Sequence, residues 1–349
     1  MTSINAIRFD HYSGAMVCDE QRGWNPENMI INSADKIKSV VPPDIMEATG
    51  LSAAYGNTGT STIGDELKFN IKKRIRKEFD AQVEKTGKAP ASVATIQKLA
   101  QWAFEAQTEL KRTHINQTIQ GRYGFSVNDF CRGFYKVDGK QIDIKDKEVI
   151  TSIHDAITWK GRTGEMTSIF LNAGIIAGYE PESGFRIYTL SMIEHAYWPV
   201  QEIFLTDGSG RDMASVEMTN FSNRKTVPER RGAIHPVEGL FEMIHAVNTA
   251  CRHDIGCEGY LNIMLFNGKK TNSERLIQIN DDRAKLASEI VRCHDGRFIE
   301  KMKALELIDG LLYGGATWVE IEDRFWTASA RPDDMFDYLR NYPDTPMPR

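Results

Sequence analysis

Apolar and polar positions alternate from the start of the chain. Ile4, Ala6, Ile7 and Phe9 predict a strand over residues 3–9. His11-Tyr12-Ser13-Gly14 supplies a turn, and Ala15-Met16-Val17-Cys18 is a second apolar strand that ends in Asp19-Glu20-Gln21-Arg22. Met29-Ile30-Ile31 and residues 37–41 predict two short strands, and Pro42-Pro43-Asp44 reads as a break. Residues 51–55 form another buried strand that runs into Gly56 and Gly59. The period then lengthens. Ile63, Leu67, Ile71, Ile75 and Phe79 predict a helix over 62–84. Ser92 or Thr95 caps a second helix, whose apolar face includes Ile96, Leu99, Trp102 and Leu110.

Residues 121–165 are mixed and charged, with a hairpin turn at 136–140 and a short helix over 147–158, and read as an insertion. Strands return at 170–178, 185–190 and 203–206. A helix follows over 236–251, then a strand pair at 260–266 and 276–279. Residues 281–312 carry a helical pattern, and 331–349 read as a loosely ordered tail. The order is strands, two helices, strands, helix, strands. That is not the alternation of a doubly wound sheet. It predicts two antiparallel sheets packed face to face with helices outside them. No GxGxxG opens a helix after a strand, and no GxxxxGK[ST] occurs, so a nucleotide fold is unsupported.

Composition narrows the class without naming it. The 349 residues hold 43 Lys and Arg against 48 Asp and Glu, a net charge of −5. That balance excludes nucleic-acid binding driven by bulk charge. No apolar run approaches the roughly 20 residues that span a bilayer, and Met1-Thr2-Ser3-Ile4-Asn5 lacks the features of a signal peptide. Cys18, Cys131, Cys251, Cys257 and Cys293 form no CxxC pair, which predicts reduced thiols in a cytoplasm. His245 and His253 share a predicted helix but lack a third ligand, so they read as structural histidines; no metal and no cofactor is expected.

The residue after Met1 brings in chemistry. Thr2 is small, so removal of Met1 is expected, leaving an α-amine beside a hydroxyl. An α-amine has a pKa of roughly 7.7–8.0, in the range of a good general base, so one residue then carries nucleophile and base. Such a nucleophile needs partners. Asp19 ends a strand, where a carboxylate can sit near the amine. Lys36 offers a positive charge that depresses the hydroxyl pKa. Gly56 offers a bare N–H to an oxyanion. Ser209, and Asp254 with Cys257, offer groups that orient the amine.

These segments follow one another as in a known family. They are the strand Ser13-Gly14-Ala15-Met16-Val17-Cys18-Asp19-Glu20-Gln21-Arg22, then Asp35-Lys36-Ile37, then Ala53-Ala54-Tyr55-Gly56-Asn57-Thr58-Gly59. Gly208-Ser209-Gly210 comes next, and last Arg252-His253-Asp254-Ile255-Gly256-Cys257-Glu258-Gly259-Tyr260. In this order they resemble a proteasome β-type subunit of the N-terminal-nucleophile hydrolase superfamily, over residues 2–62 and about 167–280. The resemblance implies an α+β fold, a four-layer αββα sandwich of two antiparallel sheets. A core over 2–280 would hold an insertion at about 80–165, with a C-terminal helical extension and tail over 281–349. It implies Thr2 as nucleophile, Asp19 and Lys36 as its assistants, Gly56 as oxyanion donor, and Ser209 and Asp254 as groups that position the amine and the proton. Cys257 departs from the family, which has serine there, and a thiol is the weaker hydrogen-bond donor.

The function so implied is a threonine-type peptidase acting through an acyl-enzyme on peptide or unfolded protein, in a cytoplasmic homo-oligomer, with any regulatory ATPase open. Two alternatives stand beside it: an amidase or transpeptidase for one small amide, and a catalytically silent scaffold of proteasome type.

Overall fold

The computed structural model describes residues 2–20, 22–24, 29–31, 35–59, 61–158, 172–191, 196–254 and 260–340. Its first strands are β1 (Ser3–Arg8), β2 (Ser13–Asp19), β3 (Arg22–Trp24), β4 (Met29–Ile31) and β5 (Ile37–Ser39). Helix α1 (Pro43–Thr49) and strand β6 (Ser52–Gly59) follow, then the long helices α2 (Ser61–Thr86) and α3 (Ile96–Tyr123). Next come α4 (Val127–Arg132), β7 (Phe134–Val137), β8 (Lys140–Asp143) and α5 (Lys147–Thr158). Strands β9 (Asn172–Glu180), β10 (Gly184–Ser191), β11 (Ala196–Pro199) and β12 (Phe204–Gly208) lead to α6 (Arg211–Asn223), α7 (Val227–Arg230) and α8 (Pro236–His253). The chain continues through β13 (Leu261–Asn267) and β14 (Leu276–Ile279) to α9 (Asp282–Asp295), α10 (Lys301–Leu312), α11 (Trp318–Trp326) and α12 (Pro332–Arg340).

Two five-stranded sheets form the centre, in the orders β12-β1-β2-β13-β14 and β11-β10-β9-β6-β5. Every pairing within them is antiparallel. Alternation along β1 explains why both faces are filled. Ile4 and Ala6 enter the layer between the sheets with Met16, Ile37, Ala54, Ile175 and Met264. Ile7 joins the opposite face with Phe9, Leu240, Phe241 and Ile244, under α8. Helices α2 and α3 cover the other sheet through Ile63, Leu67, Ile71, Ile96 and Leu99. The architecture is therefore an αββα sandwich.

Several local outcomes differ from the pattern reading, each for a physical reason. Pro43 does not break the chain; it opens α1, where its fixed φ suits the first helical turn and its missing N–H costs nothing. Thr95 is the cap of α3, accepting from the Lys98 N–H, and α3 continues to Tyr123. Its residues up to Leu110 belong to the outer layer, and a separate cluster of Ile115, Ile119, Phe125 and Ile153 begins beyond them. The helical pattern over 281–312 is broken into α9 and α10 at Arg297, whose φ of 60° no helix accommodates. The stretch read as a loose tail forms α12 up to Arg340, because Met335, Phe336 and Leu339 are buried. Helices α9 to α11 extend the core around α8 through Ile290, Leu307, Ile308, Ile321 and Phe325, so they form a further layer on that side. No helix among the described residues is long and apolar enough to cross a membrane.

His245 joins α8 to this added layer and to α6. Its Nδ1 lies 2.9 Å from Asp295 and its Nε2 3.4 Å from Glu217. With a carboxylate at each nitrogen, the doubly protonated ring satisfies both. Burial opposes the charge, but the Asp295 hydrogen bond and the charges of Asp295, Glu217 and Glu242 outweigh it, and the pKa rises above its ordinary value. A folded-state pKa above the unfolded one means stability present at pH 6 and lost as pH rises through the raised value. Urea midpoints of wild type and His245→Gln should therefore differ most at pH 6 and converge by pH 9. A gap that widens with pH contradicts the assignment.

Candidate active site

The site lies where β1 begins, at the edge shared by β2, β12 and the loop before β5. Thr2 is nearly buried, and its backbone N donates to Ser209 Oγ at 3.1 Å. Its carbonyl accepts from Gly210 N at 3.3 Å. The turn that carries Ser209 depends on Gly208, whose φ is +101° and whose absent Cβ would fall 2.0 Å from Thr2 O. Only glycine fits there. Pairing of Ser3 with Gly208 sets the register that delivers Ser209 to Thr2.

Asp19 ends β2 and is fully buried. One carboxylate oxygen accepts the Ser3 N–H at 2.8 Å, and the other accepts Lys36 Nζ at 2.7 Å. Burial pushes the Asp19 carboxyl up from its ordinary value, against the pull of the Lys36 ammonium and the Ser3 N–H. Lys36, itself nearly buried, stands at the entrance to β5. Four of the residues singled out in the sequence (Thr2, Asp19, Lys36 and Ser209) thus meet around the first peptide units of β1.

The other two stand differently. Gly56 lies within β6, paired with Ile37 on one side and Ile175 on the other. A Cβ there would meet Ile37 Cγ2 at 2.7 Å and Ile4 Cγ2 at 3.0 Å, so its smallness lets the two sheets approach. Pairing with β5 stops at Gly56, whereas pairing with β9 continues to Gly59. Gly59 ends the strand, exposed, at φ +97°. Asp254 is the C-cap of α8, its N–H bonded to Ala250 O. It borders residues 255–259, and Cys257 falls among these, outside the described residues.

Three neighbours escaped the sequence reading. Glu20 is nearly buried. Burial, then the charges of Asp35 and Asp19, push its carboxyl up to about 7, with Lys36 pulling the other way. Asp207 and Thr58 hydrogen-bond to each other at 3.3 Å beside Gly208. Position was the available signal: Glu20 follows Asp19, and Asp207 precedes the Gly208-Ser209-Gly210 turn. Among the described residues, no group of three or more His, Cys, Asp or Glu side chains is arranged to hold a metal ion.

Two antiparallel sheets between helical layers define a proteasome-like fold. Among solved structures, the chain resembles Anbu (ancestral beta-subunit) from Yersinia bercovieri. The TM-score is 0.50 at 10% identity, covering 84% of this chain and 93% of that one, so the likeness is one of fold. The chain matches no family model and no curated protein sequence.

Proposed function

We propose that this protein is an N-terminal threonine hydrolase, a peptidase whose nucleophile is Thr2 once Met1 is removed. The observation that carries this reading is the Asp19 carboxylate, bonded at once to the N–H of Ser3, next to Thr2 in the chain, and to Lys36, while Ser209 Oγ holds Thr2 N. The freed amine takes the proton of Thr2 Oγ as Oγ adds to the substrate carbonyl. The same amine passes that proton to the leaving nitrogen as the C–N bond breaks and the acyl ester forms. Water then adds to the ester, and Thr2 recovers its hydroxyl proton as the acid departs. The Lys36 ammonium favours the alkoxide form, and Asp19 keeps that ammonium in place. Asp254 retains its proposed role of positioning the proton network from the end of α8.

The oxyanion donor is proposed at the end of β6, at Gly59 rather than Gly56. N–H groups in a strand alternate sides, and beyond Gly56 no residue among those described pairs with β6 on its β5 side. Gly59 also has no Cβ to bar a substrate. The reading extends to a cytoplasmic homo-oligomer that takes peptides or unfolded chains; an amidase or transpeptidase uses the same groups on a different acyl donor or acceptor.

The intact mass of purified protein, before and after treatment with a peptide epoxyketone, tests the reading. The expected result is loss of Met1 and one adduct on Thr2. Retained Met1, or no adduct, favours the silent scaffold.

A further inference from the structure

We propose that Asp207 is a positioning residue for Thr2, tying the strand that carries Ser209 to the end of β6. This rests on the reading of Thr2 above. Asp207 lies on β12 opposite Ile4 of β1. Its Oδ1 accepts Gly208 N–H at 2.7 Å, and its Oδ2 accepts Thr58 Oγ1 at 3.3 Å. β12 and β6 belong to different sheets, so no ladder hydrogen bond fixes one against the other. The carboxylate therefore spans the gap between sheets at the reacting end of the sandwich.

Each of its two bonds acts on a different part of the site. The bond to Gly208 N holds the left-handed residue that turns the chain toward Ser209, and Ser209 holds Thr2 N. The bond to Thr58 holds the residue just before Gly59. The crowding is tight: a Cβ on Gly208 would lie 2.8 Å from Thr2 C and 3.3 Å from Thr58 Cγ2. Amine orientation and oxyanion donor are thus set relative to each other through one side chain. The rest of the layer between the sheets is largely apolar, with Ile4, Ala6, Ile37, Ala54 and Ile175. A carboxylate in such a layer is costly unless bonded, so packing alone does not account for Asp207.

Burial raises the Asp207 carboxyl, while Gly208 N–H, Thr58 hydroxyl and the Arg211 charge lower it. The groups around it are Arg211 from α6 and the Tyr55 hydroxyl from β6; β9 presents Gly174 against Tyr55.

The test uses the full chain and reads the rate of epoxyketone adduct formation on Thr2 by intact mass. Thr2→Ala sets the frame: an adduct on that variant overturns the Thr2 reading itself. With Thr2→Ala unlabelled, Asp207→Asn and Thr58→Val are each expected to slow maximal labelling by about 10- to 100-fold, the scale of an ångström-sized misplacement. Half-saturating probe concentration should stay within about threefold, and the double variant should be no slower than the worse single one. Multiplicative losses, a half-saturating concentration moved more than threefold, or labelling within twofold of wild type in Thr58→Val overturn the proposal. Thr58→Val keeps it decidable if the Asp207 variant does not fold.

Discussion

Replacing Thr2 by alanine should cut amide-bond turnover by at least about 1,000-fold, the scale seen when a hydrolase loses its nucleophile but keeps the groups around it. Thr2→Ser should retain measurable turnover, because the amine and a primary hydroxyl remain on the same residue. Neither change should alter the unfolding midpoint much. Thr2 precedes β1, whose ladders to β2 and β12 are backbone bonds from Ser3 onward. The assay compares a fluorogenic peptide pool with a panel of small amides, so it also separates peptidase from amidase. Full activity in Thr2→Ala would end the nucleophile reading and leave Asp19 and Lys36 as a structural ion pair.

Much of the candidate site is legible in sequence because its residues sit at strand ends. Asp19 stands where the apolar run of β2 stops, Lys36 where β5 starts, and Ser209 in a turn that two glycines announce. Thr2, Asp19, Lys36 and Ser209 meet without any fine knowledge of register. Gly56 and Gly59 are harder to tell apart from sequence. Both close the same apolar stretch, and which one is enclosed between strands depends on where β5 stops pairing, a fact set by partners far along the chain. Asp207 is hidden for a similar reason, since its partner Thr58 lies in the other sheet.

The helices divide along the same line. α2 and α3 carry long, regular apolar stripes and are plain in the sequence. α6, which follows Ser209, buries only Ala214, Met218 and Phe221, and its N-cap is Gly210 with no side-chain bond. A sparse stripe with a weak cap leaves too little periodic signal. α1 was obscured by its own Pro43, a residue that starts helices as readily as it ends them.

The Lys36–Asp19 pair carries the second large effect. Asp19 is wholly buried and Lys36 nearly so. Lys36→Met leaves the carboxylate with the Ser3 N–H but without its bonded counter-charge. Breaking a buried pair from one side costs about 3–5 kcal/mol, because the surviving charge stays desolvated. The remaining Asp19 should respond by taking up a proton, so destabilisation of Lys36→Met should grow as pH rises. Replacing both partners, Asp19→Asn with Lys36→Met, removes the stranded charge and keeps an acceptor for Ser3 N–H. Urea unfolding should show most of the lost stability restored in the double variant. Turnover should not return, because the ammonium that favours the Thr2 alkoxide is still missing. A double variant that regains both would make the pair a matter of folding alone. Stability regained without turnover assigns the lysine to the chemistry.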